Sequence, residues 1–283
     1  MTQIENLQAT KQDLLMPELH VRRGARFFYI GHLTRDLVLS GLGMTRRPHI
    51  LIACMPKSGS TFLSAALASY PGFKRKGLAP AYGHREQELS ELRLSRNNHL
   101  SYVAQQHLRN SAWTQHLIDK YNLTPIVLVR NLADVTISFR DHIKNESTES
   151  PMAFFKKEHA ALPDAELEEC IVNLAMPWYL NFYLGWKQCK KSMVLFYDDL
   201  IKNPEASLAA ILDKAHVAHN EKDIQNALAA ARGKPNRLNV GVSGRGKQLA
   251  PKAAEHLDRL LSWYPELKDD RLFVETRSRF LAG

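Results

Sequence analysis

Cysteine is scarce in this chain: three occur among 283 residues, Cys54, Cys170 and Cys189, and none has the short spacing of a zinc site or a redox pair. Disulfide scaffolds and Cys-based metal modules are thereby excluded, and a reducing, cytoplasmic compartment is expected. No uncharged run approaches the roughly eighteen residues a membrane span requires. The N terminus lacks the basic start and apolar core of a secretory leader. Also missing are a long basic run, a zinc-finger spacing and an aromatic RNA-binding motif. Nucleic acid is therefore not the expected partner, although the formal charge of +9 favours anions of some kind. No internal repeat is visible.

What is present is a hydrophobic content of 45%, enough for one sizeable α/β domain. Apolar strands alternate with helices, which implies right-handed crossovers and a parallel sheet covered on both faces, with ligands at the strand ends. Ile50 to Leu67 reads ILIACMPKSGSTFLSAAL, a buried strand running into a polar turn and then a helix of small residues. Such a junction suits phosphate: Gly59 lets the backbone approach, Ser58, Ser60 and Thr61 offer hydroxyls, Lys57 brings charge, and the helix start adds free N–H groups. Lysine precedes the glycine here, so the turn is not the nucleotide-triphosphatase loop G-x-x-x-x-G-K-[ST]. An ordinary strand-to-helix turn, with Ser60 capping the helix and Lys57 solvated, accounts for the same residues.

A second unit has the same form. Pro125 to His142 reads PIVLVRNLADVTISFRDH, with Arg130 closing the strand and Ser138 eight positions later on the helix that Asp134 helps to start. A guanidinium fork and a hydroxyl can converge on one phosphate; alternatively, Arg130 is a structural partner of Asp134 or Asp141. Two matching tips describe a ligand with two separated phosphates.

Pro56-Lys57-Ser58-Gly59-Ser60-Thr61-Phe62 resembles the phosphosulfate loop of sulfotransferases that use 3′-phosphoadenosine 5′-phosphosulfate (PAPS), and Arg130-Asn131-Leu132-Ala133-Asp134 with Ser138 resembles their 3′-phosphate motif. Tyr197-Asp198-Asp199-Leu200 with Asn203-Pro204 is similar to a later strand and turn of that family. Gly244-Arg245-Gly246-Lys247 is similar to its late basic glycine loop. The resemblance runs from residue 49 to about 265 and implies a P-loop-like three-layer sandwich. It also implies PAPS as donor, 3′-phosphoadenosine 5′-phosphate (PAP) as product, and no metal. By that likeness Lys57 to Phe62 hold the 5′ end, with Phe62 where many members have a tryptophan against adenine. Arg130, Ser138, Tyr197 and the segment Arg245, Gly246 and Lys247 serve the rest of the nucleotide. Gly-Arg-Gly-Lys stands here in place of the commoner Arg-Lys-Gly, which leaves open whether Arg245 or Lys247 meets the phosphate.

The acceptor hydroxyl must lose a proton, and histidine suits that task. Gln105-Gln106-His107 ends the strand before the Arg130 strand and resembles the position of the family's catalytic histidine. His84, Glu86 and Glu88 are the rivals, and a structural His107 satisfied by a backbone carbonyl is the bland alternative. Lys57 would stabilise the leaving oxygen. Two other functions fit parts of the pattern: a small-molecule kinase using Asp198 for magnesium, or a non-catalytic anion-binding module. Phe154, Phe155, Trp178 and Tyr179 line an acceptor pocket or lie in the core, and a small alcohol, a carbohydrate or a lipid-linked acceptor is equally consistent.

Three regions are expected: a helical extension over 1–48, the sulfotransferase domain over 49–270 and a tail over 271–283. Within the extension, Arg22 to Met44 mixes basic and apolar residues at helical spacing, packing on the domain or lying on a membrane surface as a peripheral contact. Ile171 to Lys190 reads as one long helix, Arg85 to Leu89 as the start of a helical turn, and Asn145 to Glu169 as a connection over the site with short helices.

Overall fold

The computed structural model describes residues 47–80, 86–232 and 243–281, with Gly31, Thr34, Arg35 and Val38 of an N-terminal helix. His84, Arg85, most of Arg22 to Met44 and the start of the glycine-rich loop at Val240 lie outside the described residues. Arg35 donates to the Ser95 carbonyl at 2.8 Å, a contact between the extension and the domain.

Five parallel strands form the centre: β1 (His49–Cys54), β2 (Lys74–Arg75), β3 (Tyr102–Gln106), β4 (Leu123–Val129) and β5 (Met193–Phe196), in the order β2-β3-β1-β4-β5. β1 is buried along its whole length. Such uninterrupted apolar strands belong in a sheet covered on both faces. Alternate residues prove the covering: Leu51, Ala53, Tyr102, Ala104, Val127 and Val129 join one core cluster, and Ile50, Ile52, Cys54, Val103, Ile126 and Leu128 the other. The second face is closed by α1 (Ser60–Ser69), which follows β1, and later by α8 (Tyr197–Lys202), α9 (Pro204–Lys214) and α10 (Glu221–Arg232). The first is closed by α2 (Glu91–Asn97), α3 (Ala112–Lys120), α4 (Leu132–Asn145), α6 (Asp164–Leu174), α7 (Met176–Lys187), α11 (Pro251–Ser262) and α12 (Arg271–Ser278); the short α5 (Lys157–Ala160) links α4 to α6. This is the three-layer α/β sandwich expected.

Several boundaries differ from expectation. The helix over Ile171 to Lys190 is two helices, because the backbone turns at Ala175 and Pro177 restarts the second. Glu86 to Ser90 is not helical; α2 begins after Ser90, whose hydroxyl accepts the Arg93 N–H. Residues 271–278, set apart above as tail, form α12 with Leu272 and Phe273 fully buried. Thr276 Oγ1 there accepts the Leu132 N–H at 3.0 Å, tying α12 to the start of α4. β1 sits at the switch point, flanked by β3 and β4, so a crevice opens beyond its carboxyl end.

Candidate active site

The turn after β1 is shaped by two residues in left-handed backbone, Lys57 at φ 64° and Gly59 at φ 82°. A Cβ on Gly59 would lie 2.9 Å from the Tyr197 ring, so both conformation and space require glycine. Gly59 is the cap of α1 and supplies no side-chain hydrogen bond, leaving the first N–H groups of the helix for another acceptor. Ser60 does not cap the helix: its hydroxyl accepts from Gln105 Nε2 at 2.8 Å. The buried Ser58 hydroxyl donates back to the Met55 carbonyl at 2.5 Å, fixing the turn. Tyr179, from α7, braces the same turn by donating to the Pro56 carbonyl at 3.2 Å. Thr61 is half-buried, while Phe62 is packed inside the core with Leu63.

Arg130 reaches this turn directly. Its Nη1 donates to the Lys57 carbonyl at 3.1 Å, its guanidinium stacks 4.2 Å above the Tyr197 ring, and its Nη2 lies 3.5 Å from Asp134. The structural reading of Arg130 is met, since Nη2 faces Asp134 and Nη1 the carbonyl of the turn. Ser138 is buried on α4, one turn beyond Asp134.

Asp134 does more than start a helix. Fully buried, its carboxylate accepts the N–H of Gly244 at 2.9 Å and of Gly246 at 2.6 Å, docking the glycine segment onto α4. Burial works against its charge, but those N–H groups, with Arg130 and Asn131, overcome it and hold the carboxyl below the usual carboxylate range. Gly246 lies so close that a Cβ there would come 2.6 Å from the Ala133 Cβ. Arg245 turns to Asp141 at 2.5 Å, and Lys247 is exposed.

Parallel pairing sets Ala53 opposite Gln106, so Cys54 and His107 come level at the strand ends beside the turn. His107 Nδ1 lies 2.9 Å from the Cys54 carbonyl and 3.3 Å from its sulfur, and its backbone N–H donates to Gln87 at 2.7 Å. Burial pulls the imidazole down, and the Cys54 sulfur and carbonyl facing Nδ1 outweigh it, pushing the group up to about 8. The carbonyl contact of the bland alternative is real, yet it uses Nδ1 alone.

Glu86 is occupied: it accepts from Arg109 Nε at 2.8 Å, from the Arg109 backbone N–H at 3.1 Å and from Trp178 Nε1 at 3.2 Å. Glu88 is exposed, and His84 lies outside the described residues. Phe155, Trp178 and Tyr179 are core residues, and Phe154 alone of the four aromatics is exposed.

A sulfotransferase domain model matches residues 47–231, well over half of the chain. The chain belongs to the sulfotransferase domain family. Among solved structures, mouse sulfotransferase SULT7A1 complexed with PAP is similar at 15% identity over 81% of this chain and 87% of that one, with a TM-score of 0.57. A sulfotransferase from Alicyclobacillus acidocaldarius is similar at 12% identity over 83% and 98%, with a TM-score of 0.47. A search of curated protein sequences gave no match. Within this sulfotransferase domain Asp198, the magnesium residue of a kinase reading, is engaged by Arg279 at 2.6 Å. No group of three His, Cys, Asp or Glu side chains among the described residues could hold a metal. No helix among them is long and apolar enough to cross a membrane.

Sequence reasoning missed Asp134 as the anchor of the glycine segment. It also missed Glu146, which stands 3.7 Å from the Lys57 ammonium and 3.0 Å from His142 Nδ1. Asp134 had a signal in its place one turn from Arg130. Glu146 had none, since its contacts depend on where the end of α4 falls.

Proposed function

We propose that this sulfotransferase moves the sulfuryl group of PAPS to a hydroxyl of an acceptor, releasing PAP. The observation that carries the reading is the 3.1 Å hydrogen bond from Arg130 to the Lys57 carbonyl, which unites two anion-seeking tips far apart in sequence. Residues present fit a doubly phosphorylated nucleotide: an uncapped helix start lies at one tip and a buried guanidinium at the other. The mouse structure similar to this chain holds PAP. When bound, PAPS supplies a sulfuryl group already attached to a good leaving phosphate.

The protein's own part is positioning and charge. N–H groups at the start of α1 and the residues Ser58 to Thr61 bind the 5′ end. Arg130 and Ser138 bind the 3′-phosphate, with Tyr197 beneath the guanidinium and the Gly244 to Lys247 segment closing that side. Lys57 neutralises charge gathering on the oxygen between phosphorus and sulfur. His107 takes the acceptor's proton on Nε2 as the new S–O bond forms and the old one breaks. Acceptors consistent with this cleft are small alcohols, carbohydrates and glycolipids. Calorimetry with 3′,5′-ADP, followed by label transfer from PAPS to a panel of these acceptors, tests it. Absence of 3′,5′-ADP binding by the full chain sinks the proposal.

A further inference from the structure

The chemistry just described uses His107 but gives its neighbour no task. Cys54 is a free thiol with no solvent exposure, at the last position of β1. Two of its atoms face one ring nitrogen: the carbonyl oxygen at 2.9 Å and the sulfur at 3.3 Å from His107 Nδ1. A carbonyl only accepts, so Nδ1 must be the protonated nitrogen of the neutral ring. The thiol hydrogen points elsewhere, to the Gln106 carbonyl at 3.5 Å, which leaves the sulfur lone pairs turned toward the same Nδ1–H. The hydrogen-bond direction therefore runs from ring to sulfur to backbone.

We propose that Cys54 is a positioning residue for His107: sulfur and carbonyl together keep the ring proton on Nδ1 and present Nε2 with its lone pair free for the acceptor hydroxyl. This deepens the function above and rests on its reading of His107 as base. Other titratable groups nearby are committed. Tyr179, which faces Cys54, is fully buried, and burial first and Cys54 second push its phenol well above the ordinary value, so it stays neutral. Glu86 and Arg109 neutralise each other at 2.7 Å, and Lys57 is turned to Glu146. Cys54 is then the titratable group that meets the ring.

A plain core residue would behave differently. Cys54 also packs with Ile50 and Ile52, so Cys54→Ala lowers stability under either view. The separating measurement is the ring itself, read by NMR in ligand-free chain labelled with ¹⁵N at histidine, using His107→Asn to assign the signal. Wild type is expected to show the neutral ring protonated at Nδ1. Cys54→Ala is expected to lower the midpoint of the His107 titration by about one pH unit or more, a tenfold change in proton affinity, while still binding 3′,5′-ADP. Cys54→Ser, whose oxygen sits on a shorter bond and so stands farther from Nδ1, is expected to lower it as well and serves if the alanine variant does not fold. An unchanged midpoint in whichever variant folds, or a neutral wild-type ring protonated at Nε2, overturns the inference. Should His107→Asn keep full sulfuryl transfer, the base assignment fails instead, whatever the NMR shows of Cys54.

Discussion

Gly246→Ala tests whether the glycine segment is clamped to α4 as the geometry implies. The added methyl would meet the Ala133 Cβ at 2.6 Å, the Arg279 Cβ at 3.0 Å and the Ala133 carbonyl carbon at 3.1 Å. Two of these atoms belong to the fixed first turn of α4 and cannot rotate away. The segment must lift, and lifting stretches the N–H contacts of Gly244 and Gly246 to a fully buried carboxylate. Overpacking of this kind costs about 1–3 kcal/mol, and a weakened hydrogen bond to a charged group about 1.5–3 kcal/mol. The two overlap, since movement relieves the first at the expense of the second, so a loss of about 2–4 kcal/mol is expected. At about 2–4 °C per kcal/mol for a chain of this size class, Tm should fall by about 5–15 °C, with weaker 3′,5′-ADP binding. Ala133→Gly supplies the control. It costs about 1 kcal/mol alone, yet removes the worst clash, so the double variant should be more stable than the sum of the two losses predicts. Strict additivity, or an unchanged Tm for Gly246→Ala, would refute the clamp.

Arg130→Ala should weaken 3′,5′-ADP binding by about 10- to 150-fold, the equivalent of one charge-assisted contact, while leaving adenosine 5′-phosphate nearly unaffected; Lys57→Ala should instead slow turnover. Calorimetry with both nucleotides checks this, and equal losses for both would move Arg130 to the 5′ end. For His107 the sign follows from the role: a base must be neutral, and a group pushed up to about 8 is largely protonated at pH 6, so kcat/KM should climb through about pH 8 to a plateau. A flat profile between pH 6 and 9 would contradict the assignment of the base.

Much of the fold and the two strand-to-helix turns could be read from residue order because each depends on neighbours in sequence. A left-handed Gly59 before a helix of small residues, or an arginine ending an apolar strand, carries its own local reason. What escaped reading depends on contacts between distant segments. Residue order left Arg245 and Lys247 as alternatives for one phosphate, and it gave no sign that Asp141, on a helix more than a hundred residues earlier, meets the Arg245 guanidinium. α12 looked like a tail because nothing local shows that Thr276 will satisfy the Leu132 N–H. β2 has two exposed residues and no apolar pattern to announce it; it exists because β3 offers an edge. Cys54 was hidden most thoroughly, since an apolar strand makes any cysteine look like filler. Only the register that sets Ala53 against Gln106 puts its sulfur beside a ring nitrogen. Strand register is thus the step at which residue pattern becomes chemistry in this protein: slipping β3 by one residue against β1 would leave every strand as apolar as before, yet turn His107 to the opposite face and away from both Cys54 and the turn after β1.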